Sequence, residues 1–275
     1  MPHSTSSKKL LNMFISSLNV QKKQGEWHWQ WNKFYDDNKW LFTEWIYPNK
    51  LSDFKNKTVL DCGCGGGQHL NFVSPYCKSV TGIDLNTPDI ARKNNKHNKN
   101  VKVIGSDLAS IKLRQKFDIV YSIGVLHHTD DPSKSFNNIK KLAKKDGKVI
   151  VWVYSREGNF LNRTLIEFLK RYIFLKLPKN ILWGIANSMA FLMYVPIYTI
   201  YFLPLRFLPF YEYFSNWRKL SFSRNTMNVF DKLNAPQTFF IDEKTIRNWF
   251  NKKEFSNIYI SQYKGVSWRG SGTKK

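Results

Sequence analysis

The sequence predicts an α/β protein: a doubly wound, mostly parallel sheet with helices on both faces and a helical insertion. Three observations carry that expectation. Residues 59–68, VLDCGCGGGQ, run from an apolar strand into a glycine-rich turn, and a second apolar run, SVTGIDL, ends near Asp84, 19 residues beyond Gly65. Strand and helix patterns then alternate through residues 58–154, as parallel strands joined by crossover helices require.

The first patterned segment, GEWHWQWNKFYDDNKWLFTEWIYP (25–48), carries tryptophans at 27, 29, 31, 40 and 45, with aromatics at helical spacing in its second half and Pro48 as a stop. It is expected to form a helix across the ligand mouth, either as plain aromatic packing or as a wall of the substrate pocket. In the turn that follows the first strand, glycines at 63, 65 and 67 permit positive φ angles and remove side chains, so that backbone amides can approach a ligand where the next helix begins. Asp61 is the last acid of that strand. Asp84 stands where a doubly wound sheet presents a carboxylate to ribose hydroxyls. A dinucleotide GxGxxG starting at Gly63 needs glycine at 68, where the chain has Gln68, and this argues against a nicotinamide cofactor.

The pattern continues as VKVIGSDL (101–108), FDIVYSIGVLHHTDDP (117–132) and LAKKDGKVIVWVY (142–154). With its alternate glycines after Asp61, an acid at the end of the second strand, Asp107 after the third and a lysine/glycine turn before the fifth, the chain resembles the class I S-adenosylmethionine-dependent methyltransferases, type 11-like. The resemblance covers residues 58–154 and resumes near Ile241. It implies a Rossmann-like seven-stranded sheet, mostly parallel with the last strand antiparallel, and S-adenosylmethionine as cofactor. It further implies that Asp61, Gly63, Gly65 and Gly67 cradle the methionine part and ribose, that Asp84 accepts the ribose hydroxyls, and that Asp107 and Leu108 sit at the adenine. Ile123, Gly124 and Val125 would line the methyl-donor face, with Gln68 and Leu85 in the same cofactor-binding set. Segments 151–160 and 230–250 also look like a bacterial subgroup with a similar insertion, which bears on architecture and not on substrate.

Four regions follow: an aromatic extension (1–50), the cofactor-binding core (51–154), a hydrophobic helical insertion (155–237), and a C-terminal helix and strand pair (238–275). In the last, residues 242–255 are expected as helix, with 257–263 and 265–270 as the strands. Within the insertion, residues 181–205 hold no charge, and Lys176, Lys179 and Arg206 flank them. That length could span a bilayer. Yet Pro196 and Pro204 interrupt it, and a lone span would strand the final elements across the membrane from their own sheet. A monotopic hairpin or lid touching membrane, and an ordinary buried subdomain, stand beside the span as readings. An insertion after the fifth strand emerges over the cofactor, so a lipid-like or other small-molecule acceptor leads. Arg163, Lys170, Arg171, Trp217, Arg218 and Lys219 would suit anionic headgroups, or simply solubilise a surface.

Net charge is +23, from 43 basic and 20 acidic residues. Attraction to a polyanion, an anionic membrane surface or nucleic acid, is one reading. A Lys/Asn-rich composition is the other, as in ARKNNKHNKNVK (91–102). Cys62, Cys64 and Cys77 exclude a disulfide framework, and Cys62-x-Cys64 is not a zinc spacing. A cytoplasmic protein is expected, peripheral on the inner membrane if the insertion touches lipid. The apolar run near the start, KKLLNMFISSL (8–18), is broken by polar residues and is expected not to be a signal peptide.

Methyl transfer from a sulfonium needs orientation and water exclusion, and no metal is expected. His127 and His128 follow the fourth strand and are the candidate general bases, against packing and capping roles. Asp130 and Asp131 before Pro132 suggest a helix start. His69, Gln68 and Tyr154 are further pocket candidates. A nucleic-acid (RNA) methyltransferase and a non-catalytic cofactor-binding scaffold are the alternative functions, the former without an NPPY-type motif or a stacking module to support it.

Overall fold

The computed structural model describes residues 25–275 apart from Asp36; the apolar run 8–18 lies outside the described residues. Seven strands, β1 (Thr58–Cys62), β2 (Ser79–Asp84), β3 (Val101–Gly105), β4 (Phe117–Ile123), β5 (Ala143–Tyr154), β6 (Phe255–Tyr263) and β7 (Ser267–Lys274), form one sheet in the order β3-β2-β1-β4-β5-β7-β6. The first five pair in parallel, and β7 runs antiparallel to both β5 and β6. The chain winds outward from β1 through β3, then returns to place β4 on the other side of β1. The carboxyl ends of β1 and β4 therefore flank the crevice where open sheets of this kind bind ligands.

Period-two alternation explains both faces of the sheet. Leu60, Cys62, Val120, Val149, Val151 and Val153 point into one core layer, and Val59, Ile119, Tyr121, Ile150 and Trp152 into the other. The first layer packs under helices α5 (Pro132–Ile139) and α10 (Glu243–Trp249), where Phe136 stacks on Trp249 at 4.9 Å. Helices α2 (Lys39–Ile46), α3 (Gln68–Val73) and α4 (Pro88–Asn94) cover the second through Phe42, Ile46, Leu70, Val73 and Ala91. Asp131 caps α5, accepting a hydrogen bond from the Lys134 amide at 2.9 Å, with Pro132 at the first helical position.

The two final strands begin or end a few residues from where they are expected, and two helical segments differ more. Residues 25–48 form two helices, α1 (25–33) and α2, because their apolar residues serve different partners. Phe34 lies between Trp183 and Phe230 of the insertion, whereas Leu41, Phe42 and Ile46 are buried on α2, with Phe42 and Ile46 in the sheet layer. The C-terminal helix stops at Trp249, short of 255. Asn251 Oδ1 accepts the amides of Lys253 and Glu254, which turns the chain into β6.

The insertion is helical. Residues 160–172 run through a wide turn into α6 (Glu167–Tyr172), followed by α7 (Lys179–Tyr198), α8 (Tyr211–Trp217) and α9 (Phe222–Asn234). Its core joins Leu182, Ala186, Ala190 and Ile197 of α7 to Met227, Phe230 and Leu233 of α9 and to Phe34. Twenty residues give α7 a length of about 30 Å, long and apolar enough to cross a membrane. A span is nevertheless the reading that fits least, as the sequence already argued: α7 is packed against α9, and the chain beyond it returns to complete the same sheet. Departure and return meet at one point: Ser155 bridges Ile241, the Arg156 amide donates to the Ile241 carbonyl, and the Ile241 amide to Tyr154, both at 2.9 Å.

Candidate functional site

The β1–α3 turn is shaped for close approach. Gly63 has φ of 91°, and a Cβ there would stand 2.3 Å from Val125 Cγ1; at Gly65 it would stand 2.9 Å from the Trp31 indole. The amides of Gly63, Cys64, Gly65 and Gly67, however, do not point outward as expected. Gly63 and Cys64 both donate to the Ile83 carbonyl, at 2.7 and 3.0 Å, and Gly67 to Cys64 at 2.8 Å. Gly65 donates to Asp84 Oδ2 at 2.8 Å. Gly63 and Gly65 thus bind the turn to β2 and to Asp84 and Gly67 closes it on itself, so that these three glycines contribute space to a ligand and not donors.

Asp84 is held at the end of β2 by the Gly65 amide on one oxygen and by the Asn86 and Thr87 amides and the Thr87 hydroxyl on the other, all within 3.0 Å. Burial raises its pKa, and these donors oppose the shift. A cavity of about 400 Å³ opens beside it. Of the sequence-predicted cofactor residues, Gly63, Gly65, Gln68, Asp84, Leu85, Asp107, Leu108, Ile123, Gly124 and Val125 line this cavity, together with His128 and His69. Asp61, Gly67 and His127 stand outside its lining. Asp61 is wholly buried beside the Tyr121 hydroxyl. Burial pushes its pKa up to about 8, the nearby Tyr121 hydroxyl opposes that, and the Asp84 charge adds to it.

Trp27 and Trp31, from the segment expected across the ligand mouth, line the cavity, as do Asp231 and Gln237, which the sequence reading did not single out. Asp231 and Gln237 lie more than a hundred residues downstream of the turn and are brought there only by the return of the insertion.

A second cavity, about 310 Å³, lies under the insertion and is mostly apolar. Trp45 and Trp152, stacked at 4.7 Å, form part of its wall with Tyr154, Met189, Met193, Tyr213 and Phe214. The two cavities share His128 and Asp231. Asp231 is fixed from both sides: Gln30 Nε2 donates to one oxygen at 2.9 Å and the Tyr154 hydroxyl to the other at 3.1 Å.

The histidine pair separates by role. Both stand on a tight turn, Leu126–His128, after β4. His127 faces inward, fully buried against Tyr154, with ring centroids 4.2 Å apart and Nε2 unpartnered. Burial and the neighbouring His128 hold its pKa well below the usual value. Its expectation as a base is corrected, since it lines neither cavity. His128 lines both. Its Nδ1 lies 2.9 Å from the Gln237 carbonyl, and a carbonyl only accepts, so Nδ1 carries the proton and Nε2 the lone pair. Burial lowers its pKa, against the pull of Asp231 and the Gln237 carbonyl; the imidazole is neutral at pH 7.

Several insertion residues expected at headgroups are instead structural. Lys170 and Trp217 are buried, Lys170 paired with Glu167 and donating to Thr238 at 3.1 Å. Arg218 donates to the carbonyls of Ile197 and Tyr201, and Arg163 is half-buried. Arg171 and Lys219 remain exposed.

The acceptor set suits S-adenosylmethionine. Asp84 stands beside a glycine-cleared turn, and Gln68 Oε1, in the lining of the same cavity, is a buried acceptor without a partner. Comparison with known proteins agrees. Residues 60–151 match the methyltransferase domain family. A tRNA U34 carboxymethyltransferase of Histophilus somni is 32% identical over 136 residues, 47% of this chain and 41% of that protein. A ubiquinone biosynthesis O-methyltransferase of Coxiella burnetii is 30% identical over 138 residues, 49% of this chain and 58% of that protein. The chain thus spans about half the length of these curated relatives. A crystal structure of a Pyrococcus horikoshii OT3 protein superposes with a TM-score of 0.51 at 16% identity, covering 87% of this chain and 92% of that one. An O-methyltransferase family protein of Burkholderia thailandensis also gives 0.51, at 12% identity, covering 86% and 56%. At such identities these two attest the fold alone. Glycine turn, acid spacing, sheet order and matched segment coincide, and residues 60–151 are a methyltransferase domain of the class I S-adenosylmethionine-dependent type.

Proposed function

We propose that the protein transfers a methyl group from S-adenosylmethionine to a hydroxyl on a small, largely apolar, lipid-like acceptor. The observation that carries this reading is the shared wall of the two cavities: His128 and Asp231 face the cofactor side and the apolar side at once. The bound cofactor supplies an activated methyl group on a sulfonium with a neutral thioether leaving group. The chain's own work is then positional. Asp84 and the glycine turn fix one reactant, and Trp45, Trp152, Met189 and Met193 hold the apolar body of the other and exclude water. His128, neutral and with its Nε2 lone pair available, takes the acceptor's hydroxyl proton as the oxygen is methylated, a contribution of about 10²–10⁴-fold. Tyr154 and Gln30 hold Asp231 in place beside it.

The ubiquinone O-methyltransferase relative supports an acceptor of this class. The tRNA-directed relative matches over a like share of the chain, and a cavity lined by Leu161, Leu165, Met189 and Met193 favours an apolar body over a nucleotide. Incubation of the purified protein with methyl-labelled S-adenosylmethionine and, separately, a lipid extract and total RNA tests the choice. Label in a chloroform-soluble product, identified by mass spectrometry and lost with His128→Ala, is expected. Label in RNA would overturn the acceptor assignment.

A further inference from the structure

We infer that the insertion docks the protein on an anionic bilayer and that the apolar cavity opens onto that docked surface, so the acceptor enters from lipid instead of from water. The inference deepens the proposed function and rests on the apolar cavity being the acceptor site. Two helical stretches carry outward apolar stripes. On α7, Ile181, Phe191, Leu192, Val195 and Tyr198 are exposed, while Leu182, Ala186 and Ala190 are buried towards α9. On residues 160–172, Phe160, Leu161, Leu165, Phe168 and Tyr172 recur at intervals of one, three and four, and all are exposed. Of the 21 exposed large hydrophobic residues described, 16 fall between Phe160 and Phe222. A water-facing surface does not concentrate them so.

Charge selects the occupant. Residues 155–237 carry 11 Lys or Arg against 4 Asp or Glu, and Arg171, Lys176, Arg206 and Lys219 are exposed among or beside the stripes. Apolar area flanked by cations matches an anionic leaflet. A second copy would bring the same net +23 to the contact and repel it, and an RNA would leave the aliphatic residues in water. The cavity fits the same orientation. Leu161 and Leu165 are 51% and 53% exposed yet also line the cavity, together with Met189 and Met193 of α7. The mouth thus lies among the stripes themselves.

The test uses the full chain and vesicles of phosphatidylcholine alone or mixed with phosphatidylglycerol. The protein should float with the mixed vesicles, and the double variant Phe191→Asp/Val195→Asp should lower partition at least ten-fold with S-adenosylmethionine affinity unchanged. Leu165→Cys labelled with a polarity-sensitive fluorophore should shift to the blue on mixed vesicles and be quenched by nitroxide-labelled lipid, whereas a label at Lys96→Cys should not respond; the native cysteines are buried. Failure to float, or conversion of a dimer to a monomer by the double variant with no effect on flotation, overturns the docking. A label at Leu165 that stays in water while the protein floats overturns the lipid-facing mouth. Protein that floats but binds no S-adenosylmethionine instead refutes the methyltransferase reading and leaves the docking standing.

Discussion

The cavity at the ends of β1 and β4 and the cavity under the insertion share two residues but are built by opposite means. The first takes most of its wall from short runs that directly follow strands β1, β2, β3 and β4, where backbone angle and single atoms matter: one Cβ at Gly63 would overlap Val125. The second gathers side chains from Leu41 to Ser267, most of them apolar and several flexible, including two methionines. A wall made of backbone tolerates no substitution, whereas one made of interchangeable hydrophobic side chains tolerates many of similar volume. On the proposed reading, the cofactor is met by geometry and the acceptor by composition.

Substitutions can break or sharpen that contrast. The largest effect is expected at the junction: His128→Ala should lower kcat by about 10²–10³-fold with little change in cofactor affinity, read by steady-state kinetics and titration calorimetry. Because burial holds the His128 pKa below its ordinary 6.5, the acidic limb of the kcat profile should lie below pH 6.5. Next is Asp84→Ala, which removes the acceptor for the Gly65, Asn86 and Thr87 amides as well as the proposed ribose partner; cofactor affinity should fall by about 100-fold or more in the same calorimeter. Intact binding would refute the assignment of this cavity.

On the apolar side, neighbouring residues of α7 should behave oppositely. Ala190→Asp buries a charge against α9 and should cost about 2 kcal/mol or more, while the exposed Phe191→Asp should stay within about 0.5 kcal/mol; urea denaturation measures both. The smallest effect concerns Asp61. Its carboxyl is raised to about 8 by burial, so its contribution to stability is complete below the unfolded value near 3.8 and is lost as pH rises towards 8. Between pH 7.5 and 8 the buried histidines are almost wholly neutral folded or unfolded. The cofactor-free protein should lose thermal stability across that interval, and Asp61→Asn should flatten the loss.

Legibility followed the same division. β1 to β5 could be read because a parallel strand buried on both faces leaves a continuous apolar run, and the glycines and Asp84 because a turn of this kind demands particular residues at particular distances. Gly63 and Asp84 announced themselves; the destination of the Gly63 amide did not, since hydrogen-bond direction depends on where β2 lies. Asp231 and Gln237 carried no local signal at all, being polar residues in a helix and a loop until the fold brought them to His128. The break between α1 and α2 was equally hidden, because aromatic spacing records how much each residue buries and not against what.

The bridge between Ser155 and Ile241 has one more implication. The insertion leaves the sheet and rejoins it side by side, so the two ends stay adjacent whatever is strung between them, and lengthening the intervening chain adds little closure entropy, about 0.6 kcal/mol for each doubling of a flexible loop. The sheet edge therefore works as a socket. What is plugged into it can change in size and chemistry while the register of β5 and β7 stays as it is, so that one methyl-donating core can be fitted to new acceptors by exchanging a single cassette.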